Sequence, residues 1–219
     1  MKAIITEKNI NLISPGITPQ IFDKYFFIKN KILQEEQILP HSTFGELSNT
    51  VFSENYRILI GIGKLIIVAA HSDSLEDKIN NVVEMIIMSA NLTNVSLGFN
   101  FDWKFFLEEG QTSEKISKAL FYNDRNPIHS KYFNVDNAAF GFYASKNFKN
   151  SRLRLDVKPI SLLPLGSGAS IEDKKQVLQF QVSFQENIST TNNVPESIQA
   201  LTNFDEYFKE SQNIISVYE

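Results

Sequence analysis

The chain has 219 residues, 21 of them basic and 25 acidic, for a formal net charge of −4. It has no cysteine, which excludes disulfide scaffolds, thiol nucleophiles and zinc–thiolate sites. The acidic balance excludes an overall basic field for nucleic acid or an anionic membrane, and 42% apolar residues is the content of a globular chain.

The N-terminus turns polar after Ile4-Ile5 and lacks a signal-peptide core. The most apolar run, Ile58 to Ala70, spans 13 residues and is interrupted by Lys64. A membrane-crossing helix needs about 20 apolar residues. These features predict a soluble cytoplasmic protein.

Two short apolar runs, Ala3-Ile4-Ile5 and Ile10-Asn11-Leu12-Ile13, predict a strand or small hairpin. Pro15-Gly16 breaks the chain, and Thr18-Pro19 reads as an N-cap with proline at the first helical position. A helix is expected from about Pro19 to Lys29. Glu46 to Phe52 is a weaker strand, and Tyr56 to Gly61 with Lys64 to Ala70 form a hairpin about Gly61-Ile62-Gly63. Gly61-Ile62-Gly63-Lys64 is a turn and not a phosphate loop, since strand follows it and the longer glycine–lysine spacing is absent.

Asp73 with Glu76 makes a capping box, and Leu75, Ile79, Val82, Val83, Ile86, Ile87 and Ala90 form the apolar stripe of the clearest helix. Val95, Leu97, Phe99, Phe101, Trp103 and Phe105 then alternate with Ser96, Gly98, Asn100, Asp102 and Lys104. Period two places those apolar side chains on one face of a strand, the expected floor of the core. Each contributes roughly 1.5–3 kcal/mol on burial.

Ser113 to Tyr122 reads as a short helix and Asn123 to Asp136 as a polar connector. Ala138 to Ala144 carries Phe140 and Phe142 in strand alternation. Leu153, Leu155 and Val157 alternate with Arg152, Arg154, Asp156 and Lys158, and Pro159 and Pro164 bracket that strand's end. Leu165 to Lys175, which includes Gly166-Ser167-Gly168, has the composition of a flexible loop. Leu178, Phe180, Val182 and Phe184 alternate with Gln179, Gln181, Ser183 and Gln185, giving an uncharged outer face. Ile188 to Val194 is polar. Pro195 starts a short helix, and Asn203 with Glu206 makes a second capping box before Phe204, Tyr207 and Phe208. Ile214 to Val217 is expected to dock.

The fold class is therefore α+β: mainly antiparallel sheet, with helices packed on one face and two related halves. It is expected as a single two-lobed domain, with an N-terminal lobe at 1–107, a connector at 108–137 and a C-terminal lobe at 138–219.

No coherent catalytic set emerges. His41, His71 and His129 share no metal-ligand spacing, so no metal site and no cofactor are expected. His71, Ser72, Asp73 and Ser74 contain triad residue types, but sequence neighbours seldom face one another as a triad requires. Asp102 and Asp156 sit mid-strand on polar faces, as paired carboxylates do. Arg152, Arg154 and Lys158, beside the Gly166-Ser167-Gly168 loop, are the nucleic-acid candidates; glycine-rich loops hold RNA backbones in some ferredoxin-like RNA-processing proteins. Gln179, Gln181 and Gln185 are the partner-binding candidates, together with the acidic C-terminal helix.

Tyr56 to Phe105, ending in Leu92-Thr93-Asn94-Val95-Ser96-Leu97-Gly98-Phe99-Asn100-Phe101, resembles an uncharacterised, sporadically distributed bacterial family of about 250 residues. In that family a similar helix is followed by a strand reading roughly Leu-Thr-Arg-Val-Gly-Leu-Arg-Tyr-Ile-Asn. Gly98-Phe99 stands here in place of its Arg-Tyr pair. Leu178 to Ile215 resembles the family's closing strand, loop and helix. The resemblance implies a fold and a patchy bacterial distribution, not a reaction.

The leading expectation is a non-catalytic binding or assembly protein of bacterial or phage origin, with a protein partner or a second copy of itself. The alternatives are an RNA-binding or processing component of a defence system, and a hydrolase using His71 or His129.

Overall fold

The computed structural model describes residues 2–70, 79–108, 110–162, 175–186 and 194–219. The molecule is built on one nine-stranded sheet in the order β2-β3-β4-β5-β1-β6-β9-β8-β7, antiparallel throughout. The strands are β1 (Ala3–Ile13), β2 (Thr43–Phe44), β3 (Ser48–Phe52), β4 (Tyr56–Gly61), β5 (Lys64–Ala69), β6 (Ser96–Phe106), β7 (Phe142–Phe148), β8 (Ser151–Leu162) and β9 (Lys175–Glu186). The helices are α1 (Lys24–Lys29), α2 (Ile79–Ser89), α3 (Ser113–Phe121), α4 (Pro127–Tyr132), α5 (Val194–Leu201) and α6 (Phe204–Ser216). This is the α+β architecture expected, with the helices on one face.

Strand β6 carries the alternation read from the sequence. Leu97, Phe99, Phe101, Trp103 and Phe105 are buried, while Asn100, Asp102 and Lys104 lie on the other face. Its neighbour β9 contributes Leu178, Phe180, Val182 and Phe184 to the same apolar layer. Helix α6 closes that layer: Tyr207 stacks on Phe184 with ring centroids 4.4 Å apart, and Phe208 stacks on Trp103 at 6.0 Å. Helix α2 buries Ile79, Val82, Val83, Ile86 and Ile87 over β1 and β5.

The two apolar runs near the N-terminus form one strand because a bulge changes its phase. Ile5 pairs with Trp103 and Glu7 with Asp102, leaving Thr6 as the extra residue. Inward positions are therefore Ala3 and Ile5 before the bulge, and Lys8, Ile10 and Leu12 after it. The Lys8 ammonium lies 5.1 Å from the centre of the Phe208 ring, a cation–π contact beneath α6.

Other segments depart from expectation. The helix expected from Pro19 to Lys29 is a 3-10 turn at Pro19–Ile21 followed by α1, which restarts because the Asp23 carboxylate accepts from the Phe26 N–H at 2.7 Å. The polar connector contains α4, capped by Asn126 with Pro127 at its first position. The strand expected at Ala138 to Ala144 begins only at Phe142. Ala138 and Phe140 are instead buried beside α3, where the Phe140 N–H donates to Ser117 Oγ at 3.0 Å.

β8 ends at Leu162, between Pro159 and Pro164 as expected, with Pro159 itself inside the strand. β7 pairs β8 only as far as Val157, so beyond that point β8 has an open edge and a missing N–H costs nothing. The Asn203–Glu206 box does not form: Asn203 Nδ2 donates to Glu186, and Glu206 pairs with Lys149. The capping box at Asp73 and Glu76 lies outside the described residues, as do most of the Ile188 to Val194 loop and all of the Leu165 to Lys175 loop except Lys175, which begins β9.

Candidate functional site

The helices leave the second face of the sheet uncovered among the described residues. Its side chains fall in rows that cross the strands. One row runs Arg57, Val68, Asn9, Asn100, Ser183, Arg154 and Ser145. The next runs Glu7, Asp102, Gln181, Asp156 and Tyr143. A depression of about 390 Å³ on this face is lined by residues of seven strands, from Arg57 on β4 to Tyr143 on β7. A single hollow can touch so many strands only because the sheet curves around it.

The site residues read from the sequence meet here. Arg152, Arg154 and Lys158 lie on this face of β8, and Gln179, Gln181 and Gln185 on the same face of β9. Register pairs Arg152 with Gln185, and Lys158 with Gln179, so the two candidate surfaces are one. Much of it is already engaged. Gln179 donates to Asp102 Oδ2 at 2.5 Å, and Gln185 donates to Ser96 Oγ and the Leu97 carbonyl. Lys158 donates to Gln181 Oε1 at 3.1 Å and lies 3.5 Å from Asp156. Arg152 binds Asn147 and Ser145. Arg154 is exposed and makes none of these contacts.

The Asp102 and Asp156 carboxylates also share this face, two strand spacings apart, or about 10 Å at the backbone. Asp102 is the more enclosed. Burial pushes its carboxyl above the usual carboxylate range and Glu7 adds to the push, while the Gln179 hydrogen bond, Lys104 and Lys158 oppose it. Asp102 Oδ1 and Asn11 Oδ1 are buried with no hydrogen-bond partner, so the face holds two acceptors awaiting donors.

Sequence reading missed Glu7, Asn9, Asn11, Arg57 and Lys64, all of which line the hollow. Arg57 and Lys64 sit on strands whose polar positions carried no separate signal. Glu7, Asn9 and Asn11 were hidden by the phase change at Thr6. On this face six cations (Arg57, Lys64, Lys104, Arg152, Arg154 and Lys158) stand against three carboxylates (Glu7, Asp102 and Asp156), in a chain whose net charge is −4. The acidic C-terminal helix lies on the other side of the sheet.

Two histidines occupy separate supporting positions. The His41 ring packs on Phe52 at 4.4 Å. His129 Nδ1 accepts from the Asn123 N–H at 3.1 Å, and its ring packs against Tyr122 and Phe140. His71 and the Gly166-Ser167-Gly168 loop lie outside the described residues. Among the described residues, no three His, Asp or Glu side chains are grouped to hold a metal, and no helix is long and apolar enough to cross a membrane. Comparison with protein-family models and with curated proteins finds no match to this chain.

Proposed function

We propose that the protein is a non-catalytic binding protein that receives an acidic protein partner on the open face of its sheet. The observation that carries this reading is the open polar face, where six cations stand against three carboxylates in a protein that is acidic overall. A rigid sheet backed by one aromatic core suits a preformed receiving surface, because little ordering is needed on binding. The resemblance of Tyr56 to Phe105 and Leu178 to Ile215 to a sporadically distributed bacterial family supports a bacterial source, and the absence of cysteine fits a cytoplasmic setting.

A nucleic-acid partner, as in a defence system, is the second reading. Arg152, Arg154 and Lys158 on one strand face favour it. A phosphate backbone offers no donor to the carboxylates in the hollow, whereas a protein partner also brings amide and hydroxyl donors for Asp102 Oδ1 and Asn11 Oδ1, which ranks nucleic acid lower.

A photocrosslinking residue placed at Ser183 tests the proposal against one placed at Glu210 on α6. The expected result is a specific acidic protein captured from host extract by the Ser183 probe alone, with capture lost in Arg154→Glu. Equal capture from both positions would refute it. Salt-sensitive oligonucleotide binding that is lost in Arg154→Glu, without protein capture, would select the second reading.

A further inference from the structure

On the helix side, where β9 meets the corner between α5 and α6, lies a second pocket of about 280 Å³. Among the described residues its wall carries Glu186, Glu196, Asn150, Gln199, Thr202 and Asn203, and no lysine or arginine. Asn150 comes from the tip of the β7–β8 hairpin, which the Lys149–Glu206 ion pair ties to α6. The nearest cation in sequence to the pocket wall is thus already engaged.

Glu186 is the centre of this pocket. Its side chain is only 5% exposed. Oε1 accepts from the Tyr207 hydroxyl and from Asn203 Nδ2 at 3.2 Å. Oε2 is buried and has no hydrogen-bond partner among the described residues. Burial and the neighbouring carboxylate push the Tyr207 hydroxyl well above the usual tyrosine range, so tyrosine remains the donor of that pair. A buried carboxylate oxygen without a donor is costly, and the usual remedy is a cation or a strong hydrogen-bond donor beside it.

We propose that this pocket takes the ammonium head of a small polar amine, with Glu186 Oε2 as its principal acceptor. A primary ammonium carries three donors and one charge. One donor is directed to Oε2, and the side-chain oxygens of Gln199 and Thr202 are within the same wall for the others. The volume exceeds what a bare ion needs and accommodates a chain of a few carbons. Among the described residues the wall offers two carboxylates, fewer than a protein cage for calcium typically supplies. The site belongs to the helix layer and is independent of the open sheet face.

Titration of the whole protein with ethanolamine and with 1,4-diaminobutane, followed by amide NMR and calorimetry, tests the assignment. Ethylene glycol serves as the neutral control and calcium chloride as the metal control. Saturable shifts of the Gln199 and Asn203 side-chain amides are expected with the amines and not with the glycol. Glu186→Gln weakens amine binding by about tenfold or more. If that variant fails to fold, Glu196→Gln weakens binding by about two- to fivefold. Arg154→Glu, on the opposite face, leaves amine binding intact. Calcium saturating the site in place of amines, unchanged amine affinity in Glu186→Gln or, where that variant does not fold, in Glu196→Gln, or no saturable shift would each overturn the proposal.

Discussion

Asp102 concentrates the physics of the open face in one residue. Its carboxyl titrates above the ordinary carboxylate range chiefly because burial penalises the charge. In the window between its unfolded pKa, about 3.9, and its higher folded pKa, the folded state holds the proton more tightly. Stability therefore falls as pH rises through that window, and Asp102 destabilises the fold at neutral pH. Asp102→Asn keeps an acceptor for Gln179 and removes the charge. Urea unfolding at pH 7 is expected to show the variant more stable than the parent, with the gain disappearing as the pH drops below the unfolded value. A gain independent of pH would refute the assignment. Tyr207 presents the opposite case, a donor to a buried carboxylate. Tyr207→Phe is expected to cost about 1–3 kcal/mol in the same assay.

At the scale of elements, the β7–β8 hairpin depends on close backbone approach. A Cβ at Gly141 would lie 2.7 Å from the Val157 carbonyl oxygen, so alanine there forces the entry to β7 off the β8 edge. A Cβ at Gly61 meets nothing within 4 Å. Gly141→Ala is expected to lower the melting temperature by several degrees, as a loss of roughly 1–3 kcal/mol does in a domain of this size, with Gly61→Ala much closer to the parent. Equal melting temperatures would show that the hairpin shifts without penalty. The hairpin tip turns through Lys149, at φ 51°, whose side chain reaches Glu206 on α6. One turn thus joins the free edge of the sheet to the helix that covers its centre.

The molecule as a whole has one core. A single cluster of buried residues runs from Ile5 to Ile215, and β6, from the first half of the chain, is hydrogen-bonded to β9 from the second. Among the described residues the halves contribute unequally, six strands and three. With Trp103 at the centre and helices of both halves packed on the same layer, Trp103 fluorescence and far-ultraviolet circular dichroism are expected to report one coincident unfolding transition. Two separated transitions would show that the halves unfold independently. Phe101→Ala, which removes a ring touching Phe184, Phe204 and Phe208, is expected to lower that transition by about 3–5 kcal/mol.

Residue order alone determined the inward row of β6 and that of β9, the tight turn at Gly61 to Lys64, and the apolar stripes of α2 and α6. Each is a periodic local pattern, and period is a property of neighbours in the chain. Tertiary structure decided what period cannot carry. The bulge at Thr6 reverses the phase of β1 and thereby sends Glu7, Asn9 and Asn11 to the open face. Pairing with β9 places Arg152, Arg154 and Lys158 beside the glutamine row, and folding brings Glu186 to Asn203 and Tyr207. Both polar sites join residues far apart in sequence, whose proximity arises only when the strands take their order in the sheet.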